Sequence, residues 1–285
     1  MFDTYTNQKF IGFDADFNDA DVVLFGAPFD GTTSFRPGTR FAPAAVRPDS
    51  YGLETYSPYL DLDLEDYKLS DIGDIDLPFG NTVRILEMIE ETSTKLVEAG
   101  KKGLMVGGEH LVTLPAIKPY IAKYPDLRVI HLDAHTDLRE EYLGETLSHA
   151  SVIRRVWDLI GDDRIYQFGI RSGMKSEFTW AAAHTKLHPF STEALPSLLP
   201  ELQSVPIYLT IDLDVLDPSV FPGTGTPEPG GITMKELLAS LCTLKGLNIV
   251  GADVVELSPH YDASGVSTAV ACKVIREVSL LLADQ

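Results

Sequence analysis

Carboxylates and imidazoles occur in this chain at spacings suited to binding metal ions. Asp133, His135 and Asp137 alternate with other residues, and Asp212 and Asp214 are separated by one residue. In extended backbone, residues i and i+2 project to the same side, so each set is expected to converge. Burying several carboxylates together without a cation would cost many kcal/mol or force some to protonate. These spacings therefore predict a metal site.

The number of candidate ligands favours two ions over one. The candidates are four carboxylates and two imidazoles: His110, Asp133, His135, Asp137, Asp212 and Asp214. A single tetrahedral zinc takes only about four ligands, so two ions that share carboxylates are the simpler arrangement. Oxygen-rich ligation with some imidazole suits Mn²⁺, whereas affinity alone favours Zn²⁺ or Cu²⁺. The spacing thus supports a metal pair better than it identifies the metal.

Alternating strands and helices are predicted to position these residues. Short apolar, β-branched runs predict buried strands at 21–25, 103–106, 128–132, 164–170, 207–213 and 248–255. Helical patterns lie between them at 83–99, 114–123, 151–160, 234–244 and 267–283. This alternation predicts an α/β domain whose parallel sheet is covered by helices on both faces. Gly- and Pro-rich segments predict loops at 35–48 and 221–231.

The candidate ligands follow the predicted strands at their carboxyl ends. His110 comes soon after the strand at 103–106. Asp133 directly follows the strand at 128–132, and Asp212 lies at the end of the strand at 207–213. Glu256 comes directly after the strand at 248–255. Ligands bind at this edge in open α/β sheets. A lone Asp or His after a strand is usually a cap or a loop residue, but four strands here deliver charge to one edge.

Length and charge limit the function classes. The 285 residues are expected to form a single domain, 1–285. With 23 basic and 42 acidic residues, the net charge of −19 disfavours nucleic acid and anionic membranes and favours cationic partners, although acidity can also serve solubility. The first 13 residues lack a signal-peptide core, and no stretch approaches about 18 uninterrupted apolar residues. We therefore expect a cytoplasmic protein.

Five segments resemble the ureohydrolase family of arginases and agmatinases. They are Gly-Gly-Glu-His at 107–110, Asp-Ala-His-Thr-Asp at 133–137, Ser-His-Ala-Ser at 148–151, Asp-Leu-Asp-Val-Leu-Asp-Pro at 212–218 and Glu-Leu-Ser-Pro at 256–259. They occur in the family's order over most of the chain. The resemblance implies a three-layer αβα fold with a mostly parallel central sheet, two Mn²⁺ per chain, and assembly into homo-oligomers, usually trimers or hexamers.

The resemblance also implies a division of the ligands between the two ions. One ion would take His110, Asp133, Asp137 and Asp212. The other would take His135, Asp133, Asp212 and Asp214, so Asp133 and Asp212 would bridge. Glu109 stands where the family commonly has Asp, but this position is not among the implied ligands.

The implied chemistry is hydrolysis of a guanidinium by a hydroxide that bridges the two ions. His149 is the expected proton shuttle, because an imidazole exchanges protons near neutral pH; without the resemblance it would be a solvated loop histidine. Asp137 is a second candidate for relaying the proton. Glu256 is expected to accept hydrogen bonds from the guanidinium; its structural alternative is a salt-bridge partner at a strand end.

Agmatine, cleaved to putrescine and urea, is the expected substrate. Arginases hold the amino-acid end of arginine with an Asn soon after Asp-Ala-His-Thr-Asp and a carboxylate after Gly-Leu-Arg. In this chain the segment 138–148 contains no Asn, and 169–174 reads Gly-Ile-Arg-Ser-Gly-Met. The features that hold the amino-acid end are therefore expected to be absent.

Charged residues beside the Asp-Ala-His-Thr-Asp motif bear on the substrate's tail. Glu140, Glu141 and Glu145 are expected to attract the ammonium of agmatine, unless they form only a solvated loop face. Arg139 could instead receive a carboxylate, as guanidinobutyrate requires. Arginine, formiminoglutamate and guanidine are further alternatives. A non-enzymatic metal-binding scaffold is also possible, although such a protein needs neither His149 nor Glu256.

Overall fold

The computed structural model describes residues 2–6 and 8–285. The strands are β1 (Thr4–Tyr5), β2 (Val22–Ala27), β3 (Tyr56–Ser57), β4 (Leu62–Asp63), β5 (Leu69–Ile75), β6 (Lys102–Gly107), β7 (Arg128–Leu132), β8 (Ile165–Phe168), β9 (Lys186–His188), β10 (Ile207–Asp212) and β11 (Ile249–Val255). The α-helices are α1 (Ala42–Ser50), α2 (Thr82–Glu98), α3 (Thr113–Lys123), α4 (Val152–Ile160), α5 (Lys175–His184), α6 (Leu195–Leu202), α7 (Met234–Thr243) and α8 (Val266–Ala283).

A mostly parallel sheet forms the middle layer. Within the described ranges it has nine strands in the order β1-β5-β2-β6-β11-β10-β7-β8-β9. The edge strand β1 pairs antiparallel with β5, and the other neighbours pair in parallel. The short strands β3 and β4 pair separately as an antiparallel ribbon.

Each face of the sheet packs against its own layer of helices. Helices α1, α6, α7 and α8 contribute to one apolar core, and α2, α3, α4 and α5 contribute to the other. Side chains alternate between the two cores along each strand: in β10, Ile207 and Leu209 pack on one side and Tyr208 on the other. These three layers confirm the predicted α/β class with a mostly parallel sheet.

The sheet brings four strands with charged carboxyl ends next to one another. The neighbours β6, β11, β10 and β7 are consecutive in the sheet, although β10 and β11 come much later in the chain. His110, Glu256, Asp212 and Asp133 therefore emerge at adjacent positions on one edge. None of the helices in the described part of the chain is long and apolar enough to cross a membrane.

The prediction of a loop over 35–48 was wrong for its second half, which begins α1. Two prolines suggested an irregular segment. Pro43 stands in the first turn of α1, where a backbone N–H has no partner within the helix. Pro48 stands near the end, where the loss of one hydrogen bond is tolerated because the helix stops at Ser50. The predicted loop at 221–231 contains no helix or strand.

Candidate metal centre and active site

The first ligand cluster surrounds the imidazole of His110, just beyond β6. Its Nδ1 atom lies 3.1 Å from Asp133 Oδ2, 3.2 Å from Asp137 Oδ2 and 3.4 Å from Asp212 Oδ2. All four side chains are buried. The three carboxylates come from the ends of β7 and β10, so their approach to His110 depends on β11 and β10 lying between β6 and β7.

The second ligand cluster surrounds the half-buried imidazole of His135. Its Nδ1 lies 3.0 Å from Asp214 Oδ2 and 3.6 Å from Asp133 Oδ1. Asp133 therefore faces both clusters, with one carboxylate oxygen toward each. The structure thus gathers all six predicted ligands at one edge of the sheet, in two groups that share a carboxylate.

The donor atoms fit a cation. His110 Nδ1 is buried and has no hydrogen-bond partner. Its other ring nitrogen, Nε2, lies 2.9 Å from Thr210 Oγ1, and that hydroxyl donates to Asp253. Because the hydroxyl hydrogen is used, Thr210 must accept the Nε2–H of His110, so Nδ1 is the ring atom that faces the carboxylates. An imidazole nitrogen among carboxylate oxygens is a donor set that a divalent cation satisfies.

Without a cation, two carboxylates of this cluster are difficult to ionise, as the directions of their pKa shifts indicate. Burial, together with the Asp214 and Asp133 carboxylates, holds the pKa of Asp212 well above its usual range. Burial and the charge of Asp133 raise the pKa of Asp137 to about 7. Like charges that are buried together resist ionisation. Bound cations would remove this penalty.

Two residues of the site have strained backbone. Asp137 has a φ of 52° and Glu256 a φ of 66°, in the left-handed region that residues with a Cβ seldom adopt. Each such conformation costs on the order of 1–3 kcal/mol and persists only where the surroundings hold it. Glu256 directly follows β11 and Asp137 lies in the loop after β7, both on the ligand-bearing edge, as is common where strain serves a site.

Glu256 is buried beside the first cluster. Its Oε1 accepts a hydrogen bond from the backbone N–H of His110 at 2.8 Å. Burial and the nearby Glu109 and Asp214 carboxylates raise its pKa. Gly225 lies next to it, and a Cβ there would be only 3.4 Å from Glu256 Oε2. A glycine at this position keeps side-chain bulk away from the carboxylate.

A cavity of about 310 Å³ opens beside the second cluster. His135, Asp137 and His149 contribute to its wall. His149 Nε2 is buried and has no hydrogen-bond partner. Burial, followed by the nearby His135 and His110, lowers the pKa of His149 to about 4, so its ring is neutral at neutral pH. A neutral imidazole with an unused nitrogen can accept a proton.

Glu109 helps to hold the loop that bears His149. The backbone N–H of His149 donates to Thr32 Oγ1 at 3.1 Å, and the Thr32 hydroxyl donates to Glu109. Glu109 also accepts the backbone N–H of Thr32 and the hydroxyl of Thr33. This carboxylate thus links the end of β6 to the segment at 149 through one threonine.

The cavity wall also carries a cation and an anion. Arg139 stacks its guanidinium 4.4 Å from the ring centre of Tyr142, and its Nε lies 3.8 Å from Glu177 Oε2. Glu177 is further held by the Thr136 hydroxyl at 2.6 Å and by the backbone N–H of Met174 at 2.7 Å. The Arg139 guanidinium and the Glu177 carboxylate therefore both have partners.

The acidic loop does not line this cavity. Glu140, Glu141 and Glu145 are exposed and are absent from its wall. The backbone explains this: Tyr142 and Glu145 hydrogen-bond to each other across a tight turn whose two central residues have positive φ, so the turn's tip extends into solvent. Direct contact of these glutamates with a substrate in the cavity is therefore not supported.

Two buried residues beside the ligands were not predicted from the sequence to belong to the site. His131 Nε2 lies 2.7 Å from Asp133 Oδ2, and Thr210 contacts His110. Each stands two residues before a predicted ligand, Asp133 or Asp212. The same i, i+2 rule that grouped the ligands would have placed both on their side of the strand.

The fold is that of the arginase family. Residues 20–281 match the model of that family, so the chain belongs to it. Within the family it is an agmatinase-like ureohydrolase. It is 53% identical to the agmatinase of Bacillus anthracis over 282 residues, which cover 98% of this chain and 97% of that protein.

Two further proteins extend this comparison. A Clostridium difficile protein solved as a candidate agmatinase superposes with a TM-score of 0.93 at 52% identity, covering 94% of this chain and 99% of that one. The guanidinobutyrase of Pseudomonas aeruginosa is 30% identical over 285 residues, covering 94% of this chain and 88% of that protein.

Proposed function

We propose that this protein uses two Mn²⁺ to hydrolyse agmatine to putrescine and urea. The observation that carries the proposal is the pair of ligand clusters sharing Asp133, with the free nitrogen of His149 on the adjoining cavity and Glu256 beside the first cluster. We assign the ions to the two clusters as the family resemblance implies. A scaffold that only held metal would need neither His149 nor Glu256.

Each residue of the site has its own role in the reaction. When bound, a pair of divalent cations supplies ionised water at neutral pH, which a weakly electrophilic guanidinium requires. Glu256 accepts hydrogen bonds from the planar guanidinium and holds its carbon at the site. Asp137 is placed to take the proton that the attacking water loses. Strained backbone at Asp137 and Glu256 aims both carboxylates at the same edge.

His149 completes the proton transfer to the departing amine. Because its imidazole is neutral in the buried site, it must first receive a proton and then deliver it. The bond from its backbone N–H to Thr32 fixes the start of its short helical turn. Its ring lies nearly perpendicular to that of Tyr142, with centres 5.9 Å apart.

The tail of the substrate is assigned mainly from relatives. The agmatinase of Bacillus anthracis shares about half of its sequence with this chain, and the net charge of −19 attracts a dication at long range. Guanidinobutyrate is the second candidate, because Arg139 lies in the cavity wall and a guanidinium can receive a carboxylate. Arg139 is already paired with Glu177, which favours agmatine.

The remaining parts of the proposal follow the resemblance to the family. We place the protein in the cytoplasm, as a trimer or hexamer of identical chains. Its product, putrescine, would enter polyamine synthesis.

Removal of metal is expected to abolish activity. Protein stripped by a chelator should regain urea release best with Mn²⁺, at two ions per chain, because six ligands in two clusters exceed what one ion needs. The measurement is activity against metal content after desalting, with Zn²⁺, Co²⁺ and Mg²⁺ compared. Full activity with one tightly held Zn²⁺ per chain would contradict the two-metal proposal.

Agmatine is expected to give the highest kcat/KM among guanidino compounds. Agmatine, arginine and guanidinobutyrate should be compared under identical manganese loading, with urea release as the measurement. A higher value for either acid would overturn the assignment of the tail and leave the ureohydrolase class intact. No urea or ammonia from these compounds, formiminoglutamate or guanidine would favour the scaffold.

One variant set separates the two possible roles of the exposed glutamates. Replacing Glu140, Glu141 and Glu145 together by Gln should lower kcat/KM for agmatine only at low salt if they act by long-range attraction. A loss that persists at high salt would indicate contact with the substrate. The control replaces Glu87, Glu90 and Glu91 of the remote helix α2 by Gln, which changes the net charge by the same amount.

A further inference from the structure

A row of polar side chains crosses four neighbouring strands beneath the ligand clusters. Asp253 of β11 is in register with Thr210 of β10, Thr210 with His131 of β7, and His131 with Gln167 of β8. All four residues are 0% exposed. Buried polar groups are costly unless they are hydrogen-bonded. Their alignment in the middle of a sheet covered on both faces therefore calls for a reason.

The first arm of this polar row orients His110. Asp253 Oδ1 accepts the Thr210 hydroxyl at 2.6 Å, and Thr210 Oγ1 lies 2.9 Å from His110 Nε2. A carboxylate only accepts, so the direction of both bonds is fixed. His110 thus donates from Nε2 and directs Nδ1 at the carboxylates of the first cluster, where a bound cation would take its lone pair.

The second arm orients Asp133. Gln167 Nε2 donates to the backbone carbonyl of Thr136 at 2.9 Å, which fixes the amide's orientation because a carbonyl only accepts. The same nitrogen lies 3.1 Å from His131 Nδ1, so that ring atom accepts. His131 therefore carries its hydrogen on Nε2 and donates it to Asp133 Oδ2 at 2.7 Å.

This bond direction also decides whether His131 is itself a ligand. One of its ring nitrogens lies close enough to His110, Asp133 and Asp137 to share an ion with them. Each nitrogen is already engaged, Nδ1 by Gln167 and Nε2 by Asp133, so neither offers a lone pair. His131 thus supports a ligand and is not one.

We infer that the polar row Asp253, Thr210, His131 and Gln167 is a positioning layer that holds His110 and Asp133 ready for the ions. The inference rests on the proposed function, because it concerns metal binding. Its two arms end on atoms 3.1 Å apart, His110 Nδ1 and Asp133 Oδ2. Partners behind metal ligands typically contribute about 10- to 100-fold in affinity or activity. We therefore expect substitutions in this polar row to act mainly by weakening the affinity for Mn²⁺.

The test of the first arm is Thr210→Val, which keeps the shape of the side chain and removes the hydroxyl. Mn²⁺ should be titrated into metal-free protein, with free Mn²⁺ measured by electron paramagnetic resonance. We expect the dissociation constant to rise by roughly 10- to 100-fold, with two ions still bound at saturation. Thr210→Ser should restore tight binding. Thr92→Val, at a buried threonine of α2 that bonds only to its own helix, is the matched control.

The second arm is tested by Gln167→Met and His131→Phe, which also serve if Thr210→Val does not fold. Both should weaken Mn²⁺ binding while two ions remain bound at saturation. Loss of one ion from His131→Phe would show that His131 is a ligand and would overturn its positioning role. Unchanged dissociation constants in Thr210→Val and Gln167→Met would overturn the inference alone. Wild-type protein that bound no Mn²⁺ would overturn the proposed function with it.

Discussion

Asparagine in place of His149 is expected to lower kcat by roughly 10²- to 10⁴-fold, the range typical of lost acid-base help. The imidazole is neutral and its Nε2 has no partner, so proton exchange is the contribution that the variant removes. His149 contacts neither ligand cluster through a hydrogen bond, and its backbone bond to Thr32 does not depend on the side chain. Both ions should therefore remain bound, with KM changed little.

The experiment measures urea release and metal content in the same preparations. His184→Asn, at a histidine that pairs with Asp162 at the far end of α5, is the matched control and should behave as wild type. Normal turnover by His149→Asn would remove His149 from the mechanism. Glu256→Gln should behave differently, with a raised KM as well as a lowered kcat, because it weakens the hold on the guanidinium.

Asp212→Asn is expected to reduce activity more than about 10²-fold, because a direct ligand should contribute more than the 10- to 100-fold of a supporting partner. Asp212 lies at the first cluster and is the implied bridge to the second. Asp214→Asn should be milder if Asp214 serves one ion. Activity at saturating Mn²⁺ and ions bound per chain are the measurements. Equal losses in the two variants would argue against the bridging role.

The same Asp212→Asn variant should be more stable than wild type when metal is absent. Because the folded-state pKa of Asp212 is raised, the metal-free fold is destabilised at pH values above the ordinary carboxyl pKa, where this group ionises more readily in the unfolded chain. Asparagine does not ionise in either state and can still accept the backbone N–H of Asp214. Thermal melting with chelator should rise by on the order of 2–4 °C, the shift expected for about 1 kcal/mol.

Two further measurements check this stability effect. The advantage of Asp212→Asn should shrink as pH falls from the raised folded-state pKa toward the ordinary carboxyl pKa, and it should vanish below the latter, where Asp212 is protonated in both the folded and the unfolded state. Added Mn²⁺ should stabilise wild type more than the variant. A variant that melted lower than wild type without metal would show that the Asp212 carboxylate does not burden the metal-free fold.

The sequence predicted the central strands well because each is a short run in which buried apolar residues predominate. It missed β5 for the opposite reason. Asp71 and Asp74 of β5 are buried against Arg47 of α1, at 2.8 and 2.5 Å, so charge occupies positions that a core strand normally fills with apolar side chains. A strand stabilised by a buried ion-pair network has no apolar pattern, and the partner that explains it lies in another element.

The ligand clusters were predictable because their spacing is local, whereas the cavity was not. Asp133, His135 and Asp137 lie within five residues of the chain, so their proximity needs no contact between distant elements. The pairing of Arg139 with Glu177 joins a loop to α5, a contact that no local pattern encodes. The turn at 142–145 then sends the acidic residues outward. Residues that depend on tertiary contacts between loops could not be placed from sequence.

The strand order also has a consequence for the newly synthesised chain. Strands β6 and β7 are made well before β10 and β11, yet β10 and β11 occupy the space between them. Until residues 207–255 emerge from the ribosome, the inner edges of β6 and β7 lack their partners, and such open edges favour aggregation. Asp212 and Asp214 arrive with the same segment. A shortened chain that ends before residue 207 would therefore lack both the middle of its sheet and a complete set of candidate ligands, and we expect it to need chaperones.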